Sequence, residues 1–168
     1  MRNELERYRT LLQSAVWQTQ SVGTNRLTAK ETAWLLSTDS LTVKLKRHCG
    51  QFHVELLNQD WYPNPLANES AVLPAGQDYF VREVFLYGNG QRWIFARTVI
   101  PASLSRRFPP LLALGQKPLG EFLFEQKFRR DALQWSKING LAARRSLFYM
   151  QADALLVTEL FLDDFGYL

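Results

Sequence analysis

The sequence predicts a single α+β domain over residues 1–168: a mainly antiparallel β-sheet with short helices packed on it. Three observations carry that prediction. Residues 79–87 and 92–100 are two runs rich in β-branched and aromatic side chains, and Gly88-Asn89-Gly90-Gln91 lies between them. Asn-Gly is the strongest short-range hairpin signal, because both central residues of a type I′ turn need φ > 0. The first quarter of the chain instead carries short capped helical patterns. Near the C-terminus, residues 146–150 and 154–162 form a second pair of strand-like runs around Ala152-Asp153.

Taken in order, residues 3–13 form an amphipathic helix and residues 18–25 a polar loop. Thr28-Ala29-Lys30-Glu31 matches a capping box, with Trp34, Leu35 and Leu36 as the apolar face that follows. Asp39 or Ser40 caps another short helix carrying Leu41, Val43 and Leu45. Phe52, Val54 and Leu56 alternate with polar neighbours and predict a strand. Residues 60–77, with Pro63, Pro65, Pro74 and Gly76, predict a long loop. After the hairpin, Pro101, Pro109-Pro110 and Pro118 punctuate short helical turns at 111–114 and 119–124. Residues 127–138 are ambiguous and lean to strand.

With 168 residues, of which 46% are hydrophobic, the chain can bury a sizeable core. Cys49 is the only cysteine, which excludes an intrachain disulfide and agrees with a reducing compartment. No apolar stretch of signal-peptide or membrane-span length is present, so the expectation is a cytoplasmic protein without a membrane partner. The net charge of +4 includes basic clusters at Lys44-Leu45-Lys46-Arg47-His48, Arg106-Arg107, Lys127-Phe128-Arg129-Arg130 and Arg144-Arg145. Acidic residues interrupt them and no DNA-binding motif accompanies them. A solvated surface with a few anion contacts is therefore favoured over nucleic-acid binding.

The central hairpin holds the first candidate site residues. With Asn89-Gly90 as a two-residue loop and regular pairing, Arg82 sits directly opposite Arg97. The pair then shares a face with Val84, Leu86, Trp93 and Phe95. Facing like charges destabilise a sheet, and on an apolar face each cation needs a partner. A carboxylate ligand or an inward carboxylate side chain resolves the conflict. Glu83 points to the other face, toward Arg92 or solvent. Glu159 is the second conspicuous position, since it shares a strand face with Leu155, Val157 and Phe161. Two readings stay open for it: an ion pair with Arg82 or Arg97, or an acidic group facing a ligand. His48, Cys49 and His53 do not make a metal-ligand set. No nucleophile motif, phosphate loop or dinucleotide fingerprint appears, so the expectation is no cofactor.

These residues lie in motifs that resemble the chorismate lyase family: Asp39-Ser40-Leu41-Thr42, Arg82-Glu83-Val84, Ala96-Arg97-Thr98-Val99, Gln116-Lys117-Pro118-Leu119-Gly120, residues 140–145 and residues 156–162. Each is short, but their joint order and spacing are specific. The resemblance implies a cofactor-free split of chorismate into 4-hydroxybenzoate and pyruvate for ubiquinone biosynthesis; separately, a monomer is the expectation. It implies a buried product site under helix-turn-helix flaps, with product release limited by flap opening. Carried over by motif, Arg82 holds the ring carboxylate. Glu159 sits at the other end, near the oxygen where the enolpyruvyl ether breaks, as a proton donor or a positioning group. Leu119 lines the site beneath a flap. Leu41 stands at a contact position where the family pattern leads us to expect methionine, and Ala96 where it leads us to expect glycine. Chorismate has two carboxylates, which suits Arg82 and Arg97 as a pair. The competing reading is a non-catalytic sensor, because ligand-binding domains of some bacterial transcription regulators resemble this family in fold.

Overall fold

The computed structural model describes residues 2–20, 22–131 and 133–168. Eight strands make one antiparallel sheet: β1 (Gln18–Thr19), β2 (Phe52–Tyr62), β3 (Tyr79–Gly88), β4 (Gln91–Pro101), β5 (Arg129–Arg130), β6 (Gln134–Ile138), β7 (Leu141–Met150) and β8 (Asp153–Phe161). Their spatial order is β1-β6-β7-β8-β4-β3-β2, and β5 pairs with β7. Among the described residues six α-helices accompany the sheet: α1 (Arg2–Gln13), α2 (Ala29–Leu35), α3 (Leu41–Lys46), α4 (Ala67–Ser70), α5 (Ala102–Arg107) and α6 (Leu119–Glu125). The α+β expectation holds.

Local chemistry sets the helix starts. The Thr28 hydroxyl accepts from Glu31 N–H and the Glu31 carboxylate accepts from Thr28 N–H, the reciprocal capping box read from the sequence. Ser40 caps α3 by accepting from Val43 N–H. The stretch expected to be one long loop is shorter. Strand β2 runs on to Tyr62, and α4 follows, with Glu69 reaching back to Leu66 N–H at 2.9 Å.

Both faces of the sheet are covered, which is why β3 is buried along almost its whole length. Leu5, Tyr8, Leu11 and Leu12 of α1 pack on Phe85, Phe95, Ala143 and Leu160 on one face. Helices α2 and α3 pack on the other, against Val54, Val84, Leu86, Ile94 and Phe161. A strand between two covered faces has no solvent side to reveal its alternation.

The hairpin turn forms as expected, with Asn89 at φ 51° and Gly90 at φ 79°. The register does not. Pairing begins at Gly88 opposite Gln91 and Tyr87 opposite Arg92, then slips so that Leu86 faces Ile94. Trp93 is the extra residue. Its ring lies across Gly88, where a Cβ would fall 2.1 Å from ring carbons, so the bulge needs both the indole and the glycine. Beyond the bulge Arg82 faces Thr98, and Arg97 faces Glu83. Arg82 and Arg97 therefore lie on opposite faces, and Phe95 goes with Arg97.

On the α1 face the cross-strand pairs Asn58–Glu83, Glu83–Arg97, Arg97–Thr158, Thr158–Arg145 and Arg145–Gln134 make a polar row across the sheet. Arg97 Nε and Nη1 donate to Glu69 and Glu83, each at 2.8 Å. Glu83 also accepts from Arg9 and Asn58. Thus Glu83 does not meet Arg92 or solvent; it is fully buried. Burial alone would raise its pKa, but the hydrogen bond from Arg9 and the charges of Arg97 and Arg9 hold the carboxyl below its usual range. Arg97→Met leaves Glu69 and Glu83 short of their shared cation, so we expect roughly 3 kcal/mol of lost stability. Denaturant titration measures that loss. Ligand affinity per folded molecule should change little.

Candidate active site

On the opposite face the sheet floors a cavity of about 210 Å³. A cavity of about 150 Å³ already admits benzene, so this one suits a substituted six-membered ring. Arg82, Val84, Leu86, Ala96, Thr98, Val157 and Glu159 form the floor. Residues 38–42, leading into α3, cover one side, and Pro118, Leu119, Gly120, Leu123 and Phe124 cover another. Phe128, Arg130 and Phe148 close an end. The two covering segments meet at their exposed edge, where Lys46 Nζ lies 2.6 Å from Glu121 Oε1.

Arg82 is 2% exposed. Its Nη1 and Nη2 donate to the carbonyls of Gly115 and Lys117 at 2.7 and 2.8 Å. These bonds fix the guanidinium and anchor the segment before α6, but neither acceptor is a carboxylate. Burial pushes the pKa of Arg82 down to about 10. It remains a cation at neutral pH and is stabilised by any anion entering the cavity.

Glu159 lies on the same floor. In the sheet, Arg82–Thr98–Val157 and Val84–Ala96–Glu159 are adjacent cross-strand rows. Two inter-strand steps and one two-residue step separate the Arg82 and Glu159 backbones by roughly 12 Å. Side chains converging from those positions can grip opposite ends of a single ring. Glu159 Oε1 accepts from Arg144 Nε at 2.9 Å, so its ion pair is with neither arginine expected from the sequence.

Of the residues singled out in the sequence, the structure brings Leu41, Arg82, Leu119 and Glu159 into one cavity. It does not bring Arg97 there; the bulge at Trp93 turns Arg97 to the α1 face. Ala96 lines the floor with one methyl group more than glycine would. His48 packs on Trp34 and His53 stacks on Tyr87. Among the described residues no cluster of His, Cys, Asp and Glu is arranged to hold a metal. No helix among them is long and apolar enough to cross a membrane.

This geometry agrees with the comparisons. The family model for chorismate lyase matches residues 11–166. The chain belongs to the chorismate lyase family. The chorismate pyruvate-lyase of Pectobacterium atrosepticum is 40% identical over 134 residues, covering 78% of this chain and 76% of that protein. A probable chorismate pyruvate-lyase of Photobacterium profundum is 39% identical over 165 residues, covering 92% and 89%. Among solved structures, the effector domain of PhnF from Mycobacterium smegmatis has a TM-score of 0.56 at 18% identity, covering 77% of this chain and 91% of that one. That likeness concerns the fold.

Two arginines of this chorismate lyase family member, expected at a solvated surface, are drawn into the interior. Arg144 is 1% exposed; besides Glu159 it donates to the carbonyls of Trp34 and Ser37 at 3.2 and 3.0 Å. Its Nη2 is buried with no partner among the described residues. Arg130 lines the cavity, sits over the Phe148 ring and donates to Ser37 O at 3.3 Å. Arg145, the neighbour of Arg144, points to the α1 face and bonds Gln134 and Asn68. The dipeptide Arg144-Arg145 is thus split between two buried faces. Only the paired strand register, not the charge run, could have shown it.

Proposed function

We infer that this cavity is where chorismate is split into 4-hydroxybenzoate and pyruvate, with Arg82 holding the ring carboxylate and Glu159 serving the far end of the ring. The observation that carries the assignment of roles is Arg82 itself. It is a buried, cavity-lining cation hydrogen-bonded to carbonyls, opposite a carboxylate, in a chain of the chorismate lyase family. Leu41 and Leu119 press on the ring from the two covering segments.

Bond balance refines the role of Glu159. In chorismate the enolpyruvyl ether and the hydroxyl stand on adjacent ring carbons. The hydroxyl stays on the ring and becomes the phenol, while the ether on its neighbour breaks. The electron pair of that carbon–oxygen bond leaves with enolpyruvate. The hydrogen on the hydroxyl-bearing carbon leaves as a proton, and its bonding pair completes the aromatic ring. Glu159, engaged by the Arg144 guanidinium, has the geometry of an acceptor. It takes that proton and returns it to enolpyruvate, which becomes pyruvate. No electrons are exchanged with an outside carrier, and aromatisation supplies the driving force. The protein contributes orientation and fixed charge. One chain supplies every group in this scheme, so a monomer suffices. A lone thiol at Cys49 accords with a cytoplasmic setting.

The test is incubation of the purified protein with chorismate, with pyruvate read by a coupled lactate dehydrogenase assay. The expected result is pyruvate and 4-hydroxybenzoate in equal amounts. Binding of 4-hydroxybenzoate without pyruvate formation would instead mark a sensor.

A further inference from the structure

Resting on that reading, we propose that Arg130 receives the second carboxylate of the substrate, the one on the enolpyruvyl arm, and so distinguishes chorismate from its product. Chorismate is a dianion, and a carboxylate taken out of water needs a cation or several donors. Arg82 serves one end of the ring. Arg97 is committed to Glu69 and Glu83 on the other face of the sheet. Among the described residues lining the cavity, the cations are Arg82 and Arg130.

Arg130 has donors to spare. Its Nε is buried and meets no hydrogen-bond partner among the described residues. Its Nη1 donates to Ser37 O in a long bond of 3.3 Å. The guanidinium lies 4.9 Å from the Phe148 ring centroid, a contact that fixes its plane and leaves its edge for a ligand. Burial and the neighbouring Arg144 charge both push its pKa down, so an arriving anion stabilises it.

The placement fits the substrate. Arg130 pairs with Phe148 on strand β5, beyond β7, and feels the charge of Glu159. It therefore stands at the Glu159 end of the cavity, where the ether carbon lies beside the hydroxyl-bearing carbon. It is also only partly buried, unlike Arg82, so the arm it holds points toward the rim. Once the ether breaks, 4-hydroxybenzoate keeps its contact with Arg82, and the pyruvate fragment keeps the one with Arg130.

The experiment compares the unaltered protein with Arg130→Gln and Arg130→Lys. It measures kcat and KM for chorismate, calorimetric Kd for 4-hydroxybenzoate, and melting temperature. We expect kcat/KM for chorismate to fall by about 10²-fold in Arg130→Gln, with partial recovery in Arg130→Lys. The Kd for 4-hydroxybenzoate should stay within about twofold, since a ligand lacking the arm makes no carboxylate contact there. Unchanged kcat/KM would overturn the assignment. So would a parallel loss of 4-hydroxybenzoate affinity, which would make Arg130 a support for the Ser37 segment. If the unaltered protein forms no pyruvate, the reading of the cavity fails and this one with it. If it does and Arg130→Gln matches it, only the present inference fails.

Discussion

Glu159→Gln should lower single-turnover cleavage of chorismate by about 10²–10⁴ while 4-hydroxybenzoate still binds. Glutamine keeps the size of the side chain and can still accept from Arg144, but it cannot carry a proton between the ring and enolpyruvate. The variant has a structural consequence that must be separated from the chemical one. Arg144 is buried, and Glu159 is its carboxylate partner. Neutralising Glu159 leaves that cation with carbonyl acceptors alone, which lowers stability. Circular dichroism and a melting curve establish that the variant is folded at the assay temperature. A fall of less than threefold in the folded variant would exclude proton transfer by Glu159 and leave proximity and fixed charge as the source of rate.

Arg82→Ala should weaken binding of both chorismate and 4-hydroxybenzoate by about 2–5 kcal/mol, because the ring carboxylate is left buried without its cation. Arg82→Lys should lose less, since it keeps the charge but not the planar fork. The two ligands falling together is the signature of the ring carboxylate, in contrast to the split expected at Arg130. Calorimetry on the product and steady-state kinetics on the substrate give the two numbers. Unaltered affinity for 4-hydroxybenzoate in Arg82→Ala would remove this residue from the carboxylate end.

How far the site could be read from the sequence differs residue by residue. Glu159 stood out because a carboxylate in an apolar strand is costly, and its face was given by simple alternation. Arg82 is singled out through a facing pair with Arg97 that does not form, but as a cation on an apolar face it keeps its place on the cavity floor whatever lies opposite. Arg97 was misplaced because one extra residue, Trp93, shifts the pairing by one and so moves every later side chain to the other face. A tryptophan five residues after a glycine is weak notice of such a bulge; the contact that demands it exists only once the strands have paired. Arg144 and Arg130 were unreadable because a dibasic run looks the same on a surface and between two covered faces. Glu69 lay in a proline-rich stretch where a four-residue helix has too short a pattern to detect. The helices with side-chain caps, α2 and α3, were legible because their signals are local.

Arg82 and Glu83 are neighbours in the chain, yet one faces the ligand chamber and the other the charge lattice beneath α1. Strand β3 therefore carries two messages in alternate letters. Substitutions at the even positions, Arg82, Val84 and Leu86, change what the chamber accepts. Substitutions at Glu83 and Phe85 change whether the sheet holds together. Val84 and Leu86 also pack against α2 and α3, so changes there must keep apolar bulk, but they leave the charge lattice on the other face untouched. An architecture of this kind lends itself to reuse: the chamber can be rewritten for another anion, or its chemistry discarded altogether, while the opposite face keeps the fold.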